Sequence, residues 1–376
     1  MTKPIKVLSV FGTRPEAVKM APLVKALEAE EGIQSVVCVT AQHREMLDAV
    51  LELFDITPDE DLNIMKHGQS ITDITVRVLE GLQDILQKIQ PDYVLVHGDT
   101  TTTFVASLAA FYQKIPVGHV EAGLRTGNPY SPYPEEMNRR LTGDIATLHF
   151  APTPKNRNHL LREGVPEDKI YVTGNTVIDA LLSVVNPEFD FQDPTLNQLV
   201  KEIEKHPLVV MTCHRRENWG QPMKQIFEAV KQISQRYPEH RIVYPVHMNP
   251  KIRQLAEEIM GRENNIFLIE PLDYAPFANL LAKARLILTD SGGIQEEAPA
   301  LGIPILVMRT ETERPEAVEA GTVKITGVET EGILRDTARL LDSQDAWKSM
   351  ANAVNPYGDG RAAQKIVEAL MKELSE

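Results

Sequence analysis

Cysteine is scarce in this chain of 376 residues: only Cys38 and Cys213 occur, and they form no CxxC pair. Neither a disulfide framework nor a zinc ribbon is therefore available, and such cysteine use is typical of a reducing cytoplasm. No apolar run approaches the ~18 residues that a membrane helix needs, and the opening residues lack the pattern of a signal peptide. We expect a cytoplasmic protein with no membrane partner.

Basic residues are also few relative to acidic ones, 39 against 53, which gives a formal net charge of −14. A protein this acidic lacks the positive surface that phosphate backbones require, so we expect no nucleic-acid partner. A few cations gathered at one place can still bind an anionic small molecule. No H-E-x-x-H or comparable ligand spacing occurs, and we therefore expect no metal.

Short β-branched runs alternate with longer helical patterns along the whole chain, which predicts parallel sheets with helical crossovers. Because single cores stop growing at roughly 250–300 residues, two domains are expected. Two series of strands are predicted: Lys6–Phe11, Val36–Thr40, Tyr93–His97, Val117–Val120 and Ile170–Thr173, then Leu208–Thr212, Ile242–Val246, Ile266–Ile269, Leu286–Thr289 and Ile305–Val307. We predict an α/β fold with Rossmann-like domains at residues 1–175 and 176–359, and an amphipathic helix at 360–376 that packs back on the first.

Open α/β sheets bind ligands beyond the carboxyl ends of their strands, so the residues that follow each strand are the candidate ligand contacts. After the first strand, Thr13 and Glu16 have capping-box spacing, and Pro15 suits the first turn of a helix. Arg14 and Lys19 are cations near a positive helix N-terminus, a position that the helix dipole disfavours unless an anion is present. This segment predicts a capped helix that faces an anion.

Several carboxylates follow the next strands of the first series. Asp99 has two interpretations, a helix N-cap and a functional acid. Glu121 fits a catalytic carboxylate and a structural ion pair with Arg125 about equally well. Glu135 and Glu136 are residues that favour the N-terminus of a helix.

The second series has its own polar segments after the strands. Ser291–Gly293 leads into a helical pattern and predicts a phosphate cradle, because glycine permits close backbone approach. Arg314 lies among acids, which by itself indicates only a solvated charge cluster. A Cys213–His214 nucleophile is a disfavoured alternative. No GxGxxG, P-loop or Tyr-x-x-x-Lys pattern occurs, so we expect no nicotinamide or other cofactor.

Nine motifs together resemble the bacterial non-hydrolysing UDP-N-acetylglucosamine 2-epimerases, in the same order along essentially the whole chain. They are Phe11–Ala17, Gln42–Asp48, His97–Thr103, Gly118–Thr126, Thr173–Asp179, His214–Asn218, Thr289–Ala298, Thr312–Glu316 and Asn355–Gly360. The resemblance implies the two-domain GT-B architecture with the active site in the interdomain cleft, and a homodimer. It also implies interconversion of UDP-GlcNAc and UDP-ManNAc through 2-acetamidoglucal, which would supply ManNAc units for surface polysaccharide. A hydrolysing epimerase that releases UDP and ManNAc, and a GT-B glycosyltransferase, are the alternatives.

The resemblance also implies roles for the residues that match the family's motifs. The catalytic groups around the sugar would be Asp99, Glu121, Glu135 and His214, with Arg14 and Lys19 nearby. The groups that hold UDP would be Ser291, Gly292 and Gly293 at the diphosphate, Glu297 at the ribose, Arg314 at further polar groups, and Phe277 and the backbone of Leu272 at uracil. A second, activating UDP-GlcNAc would contact Gln42, His43, Arg215 and His247, where Glu45 and Gly68 replace a Gln and an Arg of some members.

Overall fold

The computed structural model describes residues 4–41, 44–66, 68–192 and 194–375, and it divides into two compact units. Unit 1 comprises Met1–Ser183 and Tyr357–Glu376, and unit 2 comprises Val184–Pro356. The sequence prediction put the boundary at residue 175, whereas the chain leaves unit 1 after Ser183. The difference has a local cause, because the Asp179 carboxylate accepts the backbone N–H groups of Ala362 and Ala363 and ties residues 176–183 to the C-terminal helix.

Unit 1, within the described residues, is built on a seven-stranded parallel sheet in the order β3-β2-β1-β4-β5-β6-β7. Its strands are β1 (Ile5–Phe11), β2 (Ile33–Val39), β3 (Glu60–Asp61), β4 (Tyr93–His97), β5 (Val117–Val120), β6 (Leu148–Ala151) and β7 (Ile170–Val172). Its helices are α1 (Arg14–Ala29), α2 (Arg44–Leu53), α3 (Ile71–Ile89), α4 (Thr101–Tyr112), α5 (Glu135–Ile145), α6 (Pro154–Arg162), α7 (Thr176–Val184) and the returning α16 (Ala362–Ser375).

Unit 2 contains, in the part that the structure describes, a six-stranded parallel sheet in the order β10-β9-β8-β11-β12-β13. Its strands are β8 (Leu208–Thr212), β9 (Arg241–Pro245), β10 (Ile266–Ile269), β11 (Ala284–Thr289), β12 (Ile305–Val307) and β13 (Val323–Ile325). Its helices are α8 (Pro194–Ile203), α9 (Gln221–Arg236), α10 (Pro250–Met260), α11 (Tyr274–Ala282), α12 (Gly292–Glu297), α13 (Pro315–Glu319), α14 (Thr330–Asp342) and α15 (Gln344–Ala351).

Each sheet has its own hydrophobic core. The central strands β1, β4 and β8 are apolar on both faces because helices cover both faces of a doubly wound parallel sheet. In unit 1, α16 packs against α1 and buries Ile366, Val367 and Leu370, as its amphipathic pattern predicts. No helix of the described residues combines the length and the apolar character needed to cross a membrane.

The strand orders identify the place where a ligand is expected in each unit. The sheet of unit 1 grows outward in opposite directions from β1 and β4, and the sheet of unit 2 does so from β8 and β11. In doubly wound sheets the crevice beyond the carboxyl ends of such a strand pair is the usual ligand site. The prediction of two Rossmann-like α/β domains is confirmed, and the polar segments that follow β1, β4, β8 and β11 lie at these two switch points.

Candidate active site

Glu121, the residue that follows β5, is the centre of a polar network in unit 1. Its Oε2 atom accepts hydrogen bonds from Nζ of Lys19, from Nε2 of His97 at 3.1 Å and from Nδ2 of Asn175 at 3.3 Å. The backbone of Glu121 has φ +63°, in the left-handed region that favours glycine. A non-glycine residue held there costs on the order of 1–3 kcal/mol, and such residues cluster at functional sites.

The electrostatics of Glu121 follow from these contacts. Burial by itself would raise the pKa of Glu121, but the charges of Lys19 and His97 and their hydrogen bonds hold it well below its usual value. The alternative of a structural Glu121–Arg125 pair is wrong, because Arg125 instead forms a bidentate pair with Glu163 at 2.8 and 2.7 Å. Glu121 is thus a carboxylate held in its ionised form at the end of a central strand.

Asp99 lies in the turn that follows β4, the strand that pairs with β5 in the sheet. The interpretation of Asp99 as a helix N-cap is wrong: the cap of α4 is Thr100, whose hydroxyl accepts the backbone N–H of Thr103 at 3.1 Å. The Asp99 carboxylate is instead paired with the guanidinium of Arg139, and the side chain of Asn138 donates to the Asp99 carbonyl at 3.0 Å. Both partners belong to α5, so this helix positions Asp99.

The two neighbouring acids at the start of α5 have different surroundings. Glu136 is fully buried and accepts the backbone N–H groups of Thr126 and Gly127, each at 3.0 Å, and Nη1 of Arg139 at 3.3 Å. These bonds anchor the loop before α5, which is a structural role. Glu135 is half-buried at the first position of the helix, as its sequence predicted.

The first turn of α1 contains the predicted capping box of Thr13 and Glu16, with Pro15 in the first turn. Glu16 is buried and also accepts the hydroxyl groups of Thr100 and Thr103 at 2.7 and 3.1 Å, which ties α1 to α4. Arg14 is half-buried and, within the described part of the chain, makes no hydrogen bond or ion pair. Its guanidinium is therefore free to bind an anion.

Asp290, the first residue after β11, organises the corresponding site of unit 2. Its carboxylate is fully buried and accepts the backbone N–H groups of His214 and Arg215, each at 2.9 Å, and the side-chain amide of Asn218 at 3.0 Å. Its other oxygen lies 3.1 Å from Nδ1 of the His214 ring. Burial alone would raise the pKa of Asp290, but the hydrogen bond and charge of His214 and the backbone donors lower it.

The His214 ring, with its side chain 41% exposed, lies parallel to the ring of His247, with 6.2 Å between centroids and 9° between planes. The two histidines thus form one surface, although the resemblance assigns them to different sites. Cys213 next to them is buried, and burial followed by the charge of Asp290 raises the pKa of its thiol well above the usual value. A thiolate nucleophile at Cys213 is therefore unsuitable.

Ser291 precedes α12, and Gly292 and Gly293 form its first turn, as predicted for the cradle segment. A Cβ atom added at Gly292 would lie 3.2 Å from Nη2 of Arg215, so a larger residue there would crowd the guanidinium. The backbone of this turn and the cation are therefore adjacent. Such a pairing of backbone N–H groups with an arginine suits a phosphate group.

The interpretation of Arg314 as part of a solvated charge cluster is wrong. Its side chain is only 16% exposed, and Nε pairs with the buried carboxylate of Glu296. Leu272 and Phe277, the residues expected at uracil, are half-buried before and within α11. Between them, burial and then the charge of Glu297 raise the pKa of Tyr274, so the expected ribose ligand lies near this phenol.

Gln42 and His43 lie outside the described residues, as does the side chain of Glu45. No group of three or more His, Cys, Asp or Glu side chains in ranges 4–41, 44–66, 68–192 and 194–375 is arranged to hold a metal ion. The sequence analysis assigned no role to four residues of these two polar networks: His97, Arg139 and Asn175 in unit 1, and Asp290 in unit 2. For His97 and Asp290, their positions at the ends of β4 and β11 were the available signal.

Comparisons with known proteins give one consistent description. A family model described as UDP-N-acetylglucosamine 2-epimerase matches residues 25–371. The UDP-N-acetylglucosamine 2-epimerase of Salmonella typhimurium is 55% identical over 375 residues, covering 97% of this chain and 98% of that protein. The structure of UDP-GlcNAc 2-epimerase from Neisseria meningitidis bound to UDP-GlcNAc has a TM-score of 0.83 and 51% identity, covering 98% of this chain and all of that chain. A complex of S. aureus MnaA with UDP has a TM-score of 0.87 and 47% identity, covering 99% of this chain and 97% of that chain.

Proposed function

This chain belongs to the UDP-N-acetylglucosamine 2-epimerase family, and we propose that it is a non-hydrolysing epimerase that interconverts UDP-GlcNAc and UDP-ManNAc. The Neisseria relative described with bound UDP-GlcNAc supports a UDP-sugar substrate. The observation that carries the proposal is the pair Asp99 and Glu121. These carboxylates follow neighbouring strands, and each is paired with a cation.

The chemistry explains why both acids and cations are needed. The hydrogen on C2 of the sugar is not next to a carbonyl group, so a carboxylate cannot remove it unaided. When the C1–O bond breaks, its electron pair leaves with UDP, and positive charge develops at C1 that carboxylates stabilise, as in glycosidases. A base then takes the C2 proton, and the electrons of the C–H bond form the C1=C2 bond of 2-acetamidoglucal. Protonation of C2 on the opposite face and return of the UDP oxygen to C1 give the epimer.

The residues of unit 1 suit the sugar half of this reaction. A carboxylate with a lowered pKa is a weak base but a permanent negative charge, so we assign Glu121 to stabilising positive charge at C1. Asp99 and Glu135 are then the candidates for the base that takes the C2 proton. Arg14 and Lys19 would bind the anionic part of the substrate.

The residues of unit 2 suit the UDP half. The turn at Ser291–Gly293 and the adjacent Arg215 would hold the diphosphate, whose negative charge grows as the C1–O bond breaks. His214 would donate to the leaving oxygen. The ribose would contact Glu297, and Arg314 would contact further polar groups. Phe277 and the backbone of Leu272 would flank the uracil ring.

Further expectations from the resemblance stay proposals of the same kind. The chain would form a homodimer in the cytoplasm and supply ManNAc units for surface polysaccharide. A second UDP-GlcNAc would activate it near Arg215 and His247. Sedimentation of the pure protein tests the dimer, and the dependence of rate on UDP-GlcNAc concentration tests the activation, which would make the curve sigmoidal.

The deciding experiment is incubation of the pure protein with UDP-GlcNAc alone in deuterated water, followed by proton NMR. We expect UDP-ManNAc that carries deuterium at C2, with no accumulation of UDP. Release of UDP together with free ManNAc would instead identify a hydrolysing epimerase, and unchanged UDP-GlcNAc would favour a glycosyltransferase that lacks its acceptor. An epimer without solvent deuterium would contradict the elimination mechanism.

A further inference from the structure

Both carboxylate oxygens of Asp290 contact the segment that contains His214. One oxygen, Oδ2, accepts the backbone N–H groups of His214 and Arg215 and the amide of Asn218, at 2.9 to 3.0 Å. These bonds anchor the segment after β8. The other oxygen, Oδ1, lies 3.1 Å from Nδ1 of the ring and 3.1 Å from the backbone nitrogen of the same residue.

The contact at Oδ1 determines the hydrogen position on the ring. An ionised carboxylate only accepts hydrogen bonds, so Nδ1 of His214 must carry the hydrogen that it donates to Asp290. Nε2 is then the nitrogen available to a ligand, on a side chain that is 41% exposed. A histidine whose second nitrogen is held in this way has a defined tautomer and ring orientation.

We propose that Asp290 is a positioning residue of the reaction, which acts through His214 by holding the hydrogen on Nδ1 and placing a buried negative charge beside the ring. This inference rests on the proposed function. As the C1–O bond breaks and its electron pair moves onto the UDP oxygen, a positively charged Nε2–H donates a stronger hydrogen bond to that oxygen than a neutral ring does. The buried negative charge of Asp290 faces the opposite side of the ring and stabilises its positive charge.

The substitution Asp290→Asn separates the two roles of the carboxylate. The amide oxygen of Asn can take the place of Oδ2 and keep the three hydrogen bonds made to that atom, which leaves the amide NH₂ group in the place of Oδ1, facing Nδ1. That NH₂ group is a donor, so Nδ1 must become an acceptor and the hydrogen must move to Nε2. The variant therefore exchanges the tautomer of His214 and removes the negative charge without a change of size.

The test combines kinetics with NMR of protein labelled with ¹⁵N at histidine, assigned with His214→Ala. We expect the ring of His214 to carry hydrogen on Nδ1 in the wild type and on Nε2 alone in Asp290→Asn. We expect kcat of Asp290→Asn to fall about tenfold or more, because a neutral Nε2–H donates a weaker hydrogen bond than the charged ring, with KM changed less than about threefold. The matched control is Asp336→Asn, a buried carboxylate of the same unit that pairs with Lys324 and should change neither readout.

The outcomes separate this inference from the proposed function. A wild-type His214 ring without hydrogen on Nδ1 overturns the inference, and this spectrum needs no activity and no folded variant. An Asp290→Asn enzyme with wild-type kcat overturns it as well. The double variant gives a third test. If Asp290→Asn lowers kcat of His214→Ala by the same factor by which it lowers kcat of the wild type, the inference is contradicted, because Asp290 then acts independently of the ring. If the wild-type spectrum agrees but UDP-GlcNAc is not epimerised, the proposed function fails and the tautomer assignment stands.

Discussion

Replacement of Glu121 by Gln tests the charge at the centre of the unit 1 network. Gln has the same shape but no negative charge, so it cannot stabilise positive charge at C1. We expect the rate of epimerisation to fall on the order of 10²–10⁴-fold, the usual contribution of a positioned acidic or basic group. Such a loss corresponds to roughly 3–5 kcal/mol of activation free energy.

The effect of Glu121→Gln on stability follows from the same contacts. The carboxylate oxygen receives donors from Lys19, His97 and Asn175, whereas the amide oxygen of Gln accepts fewer of them and its NH₂ group adds a donor. A buried donor left unsatisfied costs about 1–3 kcal/mol. Because the side chains of Lys19 and Glu121 retain 16% and 13% exposure, water replaces part of this loss. We expect the free energy of unfolding to fall by about 1–2 kcal/mol, which leaves a folded protein to assay.

The assay is the initial rate of UDP-ManNAc formation in deuterated water, together with urea denaturation of the same sample. The matched control is Glu163→Gln, which removes a paired carboxylate of unit 1 from Arg125 and should keep the wild-type rate. A folded Glu121→Gln protein that retains more than a tenth of the wild-type rate would refute the role assigned to this charge. An equal loss of rate in Glu163→Gln would show that the effect is not specific to the site.

Three further predictions concern other parts of the chain. Burial lowers the pKa of His119 to about 3, against about 6.5 in an unfolded chain. Between these two pH values only the unfolded state binds the proton, so the free energy of unfolding should fall as the pH drops from about 6.5 towards 3. Urea titrations of His119→Gln should show a flatter dependence of stability on pH. Gly123→Ala should lower the melting temperature strongly and reduce folded yield, because Gly123 has φ +89° and its added Cβ would lie 2.4 Å from the carbonyl oxygen of Asn156. His214→Ala should reduce kcat at least 10²-fold with little change in melting temperature. Its control is His240→Ala, which removes a buried histidine paired with Glu239 in the same unit and should reduce stability but leave kcat unchanged.

Most of the fold was predictable because the strands are short, continuous apolar runs. The bounds of β4, β5, β8, β10 and β12 agree with the prediction to the residue, since parallel strands covered on both faces need apolar side chains throughout. Three strands were not predicted: β3, β6 and β13, which are two, four and three residues long. β3 consists of two acidic residues and β13 is interrupted by Lys324, so neither is a continuous apolar run, and pairing with a neighbouring strand decides their conformation.

The positions of the site's polar residues follow from the amino-acid sequence: Asp99, Glu121 and Asp290 each come after a predicted strand, and parallel strands bring their carboxyl ends to the same edge of a sheet. The partners of these residues depend on how the chain folds in three dimensions. Glu121 pairs with Lys19, 102 residues away, and not with Arg125, while Asp290 reaches the ring of His214 across 76 residues. A hydrogen bond depends on a distance of about 3 Å in space. Sequence spacing gives that distance only within one helix or turn, and between elements it is set by how strands pair and helices pack.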